Sequence, residues 1–260
     1  MTRLFVVDAF AEAPFTGNPA AVVPDAAGLT DAAMQAIASE LNLSETAFLI
    51  EGDGTARLRW FSPVHEVDFC GHATLATAHV LSVELGRPGP FLFQTRVGTL
   101  RVETRAGGLT LEVPRLDPEP VAAPSAILGE AFGPGVLEVF RNFENHFVRL
   151  ADEDAVLAAD PPLARLAGLF PLGICITATG RGTDIVSRYF APGAGIPEDP
   201  VTGSTHATLA PYWASVLGKT RLTARQLSRR GGALHCEVRS ETVAIEGRAV
   251  TVMEGQLRSP

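Results

Sequence analysis

His-Ala-Thr-Leu-Ala occurs at residues 72–76 and again at residues 206–210, about half a chain length apart. The sequences before the two copies also match, because Arg-Trp-Phe at 59–61 leads to the first copy and Arg-Tyr-Phe at 188–190 leads to the second. A glycine turn lies just before each copy, so each copy predicts the start of a helix. The doubled context therefore predicts two similar half-molecules. Because helix N-termini attract anions, two such starts that face one cleft would bind a carboxylate or a phosphate.

The helices predicted at the two copies are apolar on nearly every side. Residues 72–83 and 205–217 place Ala, Thr and Ser between large apolar side chains, which is typical of a buried helix around which a sheet closes. A helix with a Thr cap is predicted at 30–41, and a weaker one at 154–169 is expected to break near Pro161 and Pro162. Short β-branched or alternating runs predict strands at 4–10, 20–23, 47–50, 57–61, 91–95, 100–104, 109–113, 136–140, 146–150, 174–179, 185–190, 234–238, 243–245 and 249–253.

The fold class predicted from this pattern is α+β. It has two pseudo-symmetric domains, each a curled, mostly antiparallel sheet wrapped around a central helix. A proline-rich stretch at 113–124 is typical of a linker between the halves. The expected domains are therefore 1–117 and 118–249, and the sequence leaves open whether the C-terminal segment 250–260 completes the first domain.

Composition and charge exclude several classes of protein. The 260 residues carry a formal net charge of −8 without a run of Lys or Arg, and nucleic-acid and membrane-surface partners need a basic footprint. No stretch approaches the roughly 18 apolar residues of a membrane span. The three cysteines are an odd number and widely spread, so no disulfide framework is expected and a reducing cytoplasm is the predicted location.

Glu45 is the first candidate for chemistry. It lies between the helix predicted at 30–41 and the strand predicted at 47–50. Taken alone, the segment 42–46 is typical of a polar turn with a solvated carboxylate. The functional alternative requires Glu45 to face an apolar cleft, where desolvation would raise its pKa toward the range useful for proton transfer. The sequence leaves the direction of the side chain open.

The two helix starts supply the other candidates. Gly71 and His72 offer the first unpaired N–H groups of one helix, and Gly203 and Ser204 offer those of the other. The imidazole of His72 is either a satisfied polar group or one that donates a hydrogen bond and relays a proton. Asp199 precedes a proline, which favours an extended turn. Its carboxylate either complements a helix dipole or orients a substrate hydroxyl or amine.

Neither a metal nor a cofactor is expected. The single lysine, Lys219, follows the end of a predicted helix, which disfavours Schiff-base chemistry and a pyridoxal phosphate linkage. No close pair of possible ligands has a spacing such as His-x-x-x-His, so the sequence predicts no metal site. The side chains that would offer ligand atoms are Glu45, His72, Asp199 and His206.

Four separated motifs carry a resemblance to a known family. They are Asp-Ala-Phe at 8–10 with Phe-Thr-Gly-Asn-Pro-Ala at 15–20, Leu-Ser-Glu-Thr-Ala-Phe at 43–48, Cys-Gly-His-Ala-Thr-Leu-Ala at 70–76, and Arg-Tyr-Phe-Ala-Pro at 188–192 continuing to Glu-Asp-Pro-Val-Thr-Gly-Ser at 198–204. In this order they resemble the PhzF (phenazine-biosynthesis) family, which shares its fold with diaminopimelate epimerase. The resemblance runs almost from end to end of the chain.

The resemblance implies a cofactor-independent isomerase with its active site between two similar domains. In that family a carboxylate removes a proton from one carbon, and a proton is returned at another. The family's best-known substrate is a dihydro-hydroxyanthranilate, a ring carboxylate with an amino and a hydroxyl group, so a small carboxylate is the expected partner. The family also implies a homodimer. The resemblance assigns the base to Glu45, orienting or relaying roles to His72 and Asp199, and substrate binding to Gly71, His72, Asp199, Gly203 and Ser204.

One position separates the chain from thiol epimerases with the same fold. Those enzymes have a cysteine before each helix-starting glycine, whereas here Cys70 precedes the first glycine and Thr202 precedes the second. A threonine hydroxyl has a far higher pKa than a thiol and does not replace a thiolate. The sequence therefore disfavours two-thiol racemisation and predicts a packing role for Cys70. A thiol-type epimerase and a non-catalytic small-molecule-binding protein remain the alternatives.

Overall fold

The computed structural model describes residues 2–52 and 54–258, in which eighteen strands and six α-helices occur. Numbered in chain order, the strands are β1 Thr2–Ala9, β2 Asn18–Val23, β3 Glu45–Gly52, β4 Thr55–Phe61, β5 Glu66–Val67, β6 Phe91–Thr95, β7 Gly98–Arg105, β8 Gly108–Pro114, β9 Glu119–Pro120, β10 Val136–Arg141, β11 Asn145–Leu150, β12 Gly173–Thr179, β13 Ile185–Ala191, β14 Ile196–Asp199, β15 Arg221–Gln226, β16 Gly232–Val238, β17 Thr242–Gly247 and β18 Ala249–Leu257. The helices are α1 Asp31–Leu41, α2 Gly71–His79, α3 Ala126–Phe132, α4 Glu153–Ala158, α5 Leu163–Leu166 and α6 His206–Leu217.

The chain divides into two compact units. Unit 1 contains the residues up to Val113 together with the segment from Glu246 onward, and unit 2 runs from Pro114 to Ile245. Both boundaries lie slightly before the expected ones at 117 and 249, and the first falls inside the proline-rich stretch. Strand β18 pairs with β1 in antiparallel register, so the C-terminal segment belongs to the sheet of unit 1.

The sheet of unit 1 curls around α2. Its strands pair in the order β18–β1–β2–β3–β4–β6–β7–β8, and the short β5 also pairs with β4; only β2–β3 and β4–β6 are parallel. Helix α2 packs against β1, β2, β3, β7 and β18, and its residues from Gly71 to Ala78 are buried. A helix that contacts five strands leaves no polar face to solvent, which explains its apolar composition.

Unit 2 repeats this order of pairing. Strands β10, β11, β12, β13, β15 and β16 pair in sequence, β14 also pairs with β13, and the parallel pairs are β11–β12 and β13–β15. Helix α6 packs against β15 and β16, and its residues from His206 to Trp213 are buried. The predicted α+β class, with a mostly antiparallel sheet and a central helix in each half, is confirmed.

Matching ion pairs join the same two strands in each unit. On β4, Arg59 donates from Nε and Nη2 to the two oxygens of Glu66 on β5, over 2.7 and 2.8 Å. On β13, Arg188 makes the same pair of contacts with Glu198 on β14, over 2.7 and 3.1 Å. Each guanidinium also lies over the ring of the phenylalanine two residues later, 5.1 and 5.0 Å from its centroid. The repeated Arg-aromatic-Phe sequence is therefore structural.

The sequence predictions differ from the structure mainly in short elements. The helix predicted at 154–169 is two helices, α4 and α5, and the break includes Pro161 and Pro162 as expected. Helix α3 and strands β5, β9, β14 and β15 were not predicted. The two-residue strands carry no period of their own and form because a longer neighbour pairs with them. None of the helices within 2–52 and 54–258 is long and apolar enough to cross a membrane.

Candidate active site

The candidate site of unit 1 lies where three elements begin. Strands β2 and β3 pair in parallel, with Ala20 opposite Glu45, so both strands begin on the same side of the sheet. Helix α2, which the sheet surrounds, begins at Gly71. These three starts bring together the side chains of four residues, Asn18, Glu45, Cys70 and His72.

Gly17 determines where the side chain of Asn18 lies. Its φ is +68°, and a Cβ atom at this residue would lie 2.3 Å from the carbonyl oxygen of Ala9. Only glycine fits such a position without strain. The preceding loop is held by Asp8, whose Oδ2 accepts a hydrogen bond of 2.7 Å from the backbone N–H of Phe15. The chain can therefore turn sharply and start β2 with Asn18 against His72.

His72 links Asn18 to Glu45. The Nδ2 atom of Asn18 lies 3.2 Å from Nδ1 of His72, and Nε2 of His72 lies 3.3 Å from Oε2 of Glu45. An amide that donates to Nδ1 selects the tautomer with its proton on Nε2, which can then donate to the carboxylate. Burial lowers the pKa of His72 below its usual value, and the opposite effect of the Glu45 carboxylate is smaller. The imidazole is therefore neutral near pH 7, and its Nε2 lies where an N–H can donate to the Glu45 carboxylate.

Glu45 does not lie in a solvated turn. It is the first residue of β3, its side chain is 13% exposed, and it faces His72. Strand β3 begins two residues before the predicted start at 47 because pairing with β2 extends it. The interpretation as a polar surface turn is thus wrong. The side chain is largely buried, and it meets a polar imidazole rather than the apolar cleft that the functional alternative required.

Cys70 lies against the same imidazole. The Sγ atom is 3.5 Å from Nδ1 and 3.9 Å from Nε2 of His72, and the residue is 6% exposed. Its burial agrees with a packing role. Its contact with His72 shows in addition that the thiol borders the polar cluster, which the sequence analysis did not anticipate.

In unit 2, Asp199 belongs to a polar cluster with Thr202 and Gln226. It is the last residue of β14 and is 7% exposed, and its Oδ2 accepts a hydrogen bond from the hydroxyl of Thr202. The side chain of Gln226 on β15 forms hydrogen bonds with the backbone of both residues. Its Nε2 donates to the backbone oxygen of Asp199 over 2.7 Å, and its Oε1 accepts from the backbone N–H of Thr202 over 2.8 Å. The carboxylate of Asp199 is therefore held in a fixed orientation.

The start of α6 differs from the start of α2. A 3-10 turn, Gly203–Thr205, contains both Gly203 and Ser204 and precedes α6, which begins at His206. His206 is fully buried, with Nδ1 3.2 Å from the backbone oxygen of Thr202. Burial lowers the pKa of His206 to about 4. Its Nε2 has no hydrogen-bond partner within the described part of the chain. The two histidines of the doubled pentapeptide are therefore not equivalent.

The residue of unit 2 that corresponds to Glu45 is Gly173. Phe61 on β4 and Phe190 on β13 end the two Arg-aromatic-Phe sequences. Across the sheet, Phe61 pairs with the second residue of β3, and Phe190 pairs with the second residue of β12. The first residues of these strands, Glu45 and Gly173, therefore match. A Cβ atom on Gly173 would lie 2.0 Å from the hydroxyl oxygen of Tyr189, so this position holds no side chain.

Two site residues had no role in the sequence analysis. Asn18 lies in the motif at 15–20, and the glycine before it was the available signal of a fixed turn. Gln226 gave no signal, because β15 was not predicted and its partners lie far away in the sequence. Both are buried, at 0% and 1% exposure.

Comparisons with known proteins give one family. Residues 7–255 match the PhzC-PhzF family, described as phenazine biosynthesis-like protein. An uncharacterized isomerase from Pseudomonas aeruginosa is 51% identical over 255 residues, which cover 98% of this chain and 98% of that protein. The crystal structure of a PhzF-family phenazine biosynthesis protein from Enterococcus faecalis has a TM-score of 0.95 at 40% identity and covers 99% of both chains. A hydroxyproline epimerase from Agrobacterium vitis shares the fold alone, with a TM-score of 0.62 at 10% identity over 98% of this chain and 91% of that one.

Proposed function

Because the chain belongs to the PhzC-PhzF phenazine biosynthesis-like family, we propose that it is an isomerase that moves a proton between two carbon atoms of a small carboxylate without a cofactor. Glu45 is the proposed general base and acid, which takes the proton from one carbon and returns one to the other. The observation that carries the proposal is the distance of 3.3 Å between Oε2 of Glu45 and Nε2 of the buried His72.

The neutral state of His72 suits a base at Glu45. A protonated imidazole would hold the carboxylate in its charged form by Coulomb attraction and weaken it as a base. A neutral Nε2–H donates one hydrogen bond to Oε2 and holds the carboxylate in place with a smaller effect on its basicity. Asn18 fixes the tautomer by its contact of 3.2 Å with Nδ1. Asn18 and His72 are thus positioning residues for Glu45.

The proposed substrate is a ring carboxylate with amino or hydroxyl groups, of the dihydro-hydroxyanthranilate type. Its carboxylate would accept hydrogen bonds from the N–H groups of Gly71 and His72 at the start of α2. The first turn of that helix, all of which the structure describes, contains no acidic residue to compete for them. From unit 2, Asp199 is proposed to bind an amine or hydroxyl of the substrate, and Gly203 and Ser204 are proposed as further N–H donors.

The experiment that tests this function is solvent exchange. The protein is incubated in D₂O with a dihydro-hydroxyanthranilate and with a panel of related cyclic carboxylates. An isomerase that passes a proton through Glu45 incorporates deuterium at a carbon of its substrate, which NMR and mass spectrometry detect. Ligand binding without incorporation anywhere in the panel would favour a non-catalytic binding protein. Mass spectrometry of metabolites retained on the purified protein would extend the panel.

A thiol-type epimerase is the competing proposal. The 3.5 Å contact between Sγ of Cys70 and His72 favours it, because an imidazole can accept a thiol proton. The second acid–base group of such an enzyme would fall on Thr202, whose hydroxyl instead donates to Asp199. Of the two opposed thiols that such a mechanism needs, this chain therefore has only the one of Cys70.

A further inference from the structure

We propose that Glu45, Cys70 and His72 bind a divalent transition-metal ion of the Zn²⁺ type, and that the bound ion stops proton transfer. Metal binding depends only on the geometry and chemistry of these three side chains. Inhibition rests in addition on the proposed function, because the ion would occupy the carboxylate that serves as the base.

The three side chains are spaced as ligands of one ion. Each offers one ligand atom, and the three atoms lie within 4.8 Å of one another. Nε2 of His72 is 3.3 Å from Oε2 of Glu45 and 3.9 Å from Sγ of Cys70. Tetrahedral zinc, with bonds of about 2.0 Å to N and O and about 2.3 Å to S, separates N from O by about 3.3 Å and N from S by about 3.5 Å. The two separations from Nε2 therefore lie within a few tenths of an ångström of this geometry, and the carboxylate oxygen and the thiol sulfur lie within 4.8 Å of each other.

The donor set favours a borderline or soft ion over Mg²⁺ or Ca²⁺. Imidazole and thiolate ligands suit Zn²⁺, Co²⁺ and Cu²⁺, whereas the hard alkaline-earth ions prefer oxygen alone. A carboxylate, a thiolate and a neutral imidazole together neutralise a doubly charged ion. Binding of the ion with loss of the Cys70 proton therefore changes the charge of the site from that of one carboxylate to zero, and a neutral buried site limits the cost of desolvation. The proton of Cys70 leaves to solvent on coordination.

Asn18 completes the surroundings of the ion. Coordination through Nε2 moves the imidazole proton to Nδ1, which must then donate to an acceptor. Nδ1 already lies 3.2 Å from the amide of Asn18, and rotation of that amide by half a turn presents its oxygen to the N–H. A metal-bound histidine commonly donates its other N–H to an oxygen in this way.

Unit 2 provides an internal comparison. When the segments before the two helices are aligned on Gly71 and Gly203, Cys70 and His72 match Thr202 and Ser204. Glu45 matches Gly173 by strand pairing. None of these three described residues of unit 2 offers an imidazole, a thiol or a carboxylate. The metal site is thus specific to unit 1. The site could not be predicted from the sequence, because its ligands come from β3 and the start of α2 and show no regular spacing.

Cobalt reports directly on the sulfur ligand. The full-length protein, freed of metals with EDTA and dialysed, is titrated with Co²⁺ while the absorption spectrum is recorded. We expect a thiolate-to-cobalt charge-transfer band that saturates at one equivalent and disappears in Cys70→Ala. The control Cys236→Ala removes another buried cysteine and should keep the band. No band in the wild type, or a band that persists in Cys70→Ala, would overturn the site.

Zinc affinity identifies the other ligands without any assay of activity. Calorimetric titration with Zn²⁺ should show one binding site per chain. The Asn18→Ala substitution should lower the affinity of this site for Zn²⁺ by roughly 10-fold to 100-fold. Glu45→Gln should weaken it more, and Glu51→Gln, an exposed carboxylate on the same strand, should leave it unchanged. Equal affinity in the wild type and Glu45→Gln would exclude this site.

Inhibition separates the metal site from the proposed function. With an active wild type, Zn²⁺ should abolish deuterium exchange at one equivalent, and EDTA should restore it. An active enzyme that binds no Zn²⁺ refutes the metal site and leaves the isomerase proposal intact. One-site binding that requires Glu45 and Cys70, in a protein without exchange activity, supports the metal site and refutes the isomerase proposal.

Discussion

Glu45 and Gly173 occupy the same position in two sheets of matching topology. Glu45 directly precedes the residue that pairs with Phe61 across the sheet, and Gly173 directly precedes the residue that pairs with Phe190. The carboxylate has a thiol and an imidazole as neighbours in unit 1, while the hydroxyl of Tyr189 fills the space of a side chain in unit 2. The duplicated fold therefore carries this set of reactive groups in one unit alone.

Gly173→Ala tests how tightly the unit 2 position is filled. The added Cβ would lie 2.0 Å from the Tyr189 hydroxyl oxygen and 2.7 Å from Oδ1 of Asn145, so the strand or both side chains must move. We expect the free energy of unfolding to fall by about 1–3 kcal/mol in urea titrations. Gly182→Ala, which would meet no atom within 4 Å, is the matched control. Equal stability of the two variants would show that this space is not filled.

Glu66→Gln tests the structural role of the Arg-aromatic-Phe sequence. The Arg59 and Glu66 side chains are 8% and 13% exposed, and hydrogen bonds to Glu66 and Asp31 raise the pKa of Arg59. Loss of one charged partner should lower the free energy of unfolding by about 1–3 kcal/mol. Glu51→Gln breaks an ion pair whose partners are 43–44% exposed and should cost less than about 1 kcal/mol. If Glu66→Gln cost no more than this control, the pair would not hold β4 and β5 together.

His206 makes the folded chain sensitive to acid. Its pKa is about 4 when folded, against 6.5 for an unperturbed imidazole. Between these values the unfolded chain binds the extra proton, so the free energy of unfolding decreases as the pH falls from 6.5 toward 4. The loss between pH 7 and pH 5 should be about 2 kcal/mol.

His206→Gln should remove this part of the pH dependence, because glutamine does not titrate. Urea unfolding of the wild type and the variant, followed by circular dichroism at pH 7 and pH 5, measures the difference. The other buried histidines remain in both proteins and cancel in the comparison. Parallel pH profiles for the two proteins would show that His206 does not take up a proton on unfolding.

Cys70→Ala separates carboxylate catalysis from thiol catalysis. With Glu45 as the base, the thiol contributes packing beside His72, and its loss should slow deuterium exchange by less than about tenfold, or about 1.4 kcal/mol of activation free energy. The assay is run in EDTA so that bound metal does not affect either protein. A fall to the background rate in a folded variant would favour the thiol-type epimerase.

Much of the fold could be predicted from the sequence, because the doubled pentapeptide marks two buried helices and alternating runs mark the longer strands. The site could be predicted less completely. Glu45 was identified by its resemblance to the family motif, but its orientation depends on the parallel register of β2 with β3, which places Ala20 opposite it. The neighbours of Asp199 depend on β15, because the position of Gln226 on that strand is set by its pairing with the distant strand β13. Such contacts are long-range and leave no local pattern.

Solvent-deuterium incorporation by Glu45→Gln tests the central claim most directly. Glutamine keeps the size of the side chain and its contact with His72 but cannot accept the substrate proton, so we expect a folded protein with exchange at the background rate. Glu51→Gln, from the exposed end of the same strand, should exchange at the wild-type rate. Exchange by Glu45→Gln at the wild-type rate would contradict the assignment of Glu45 as the proton-transfer group.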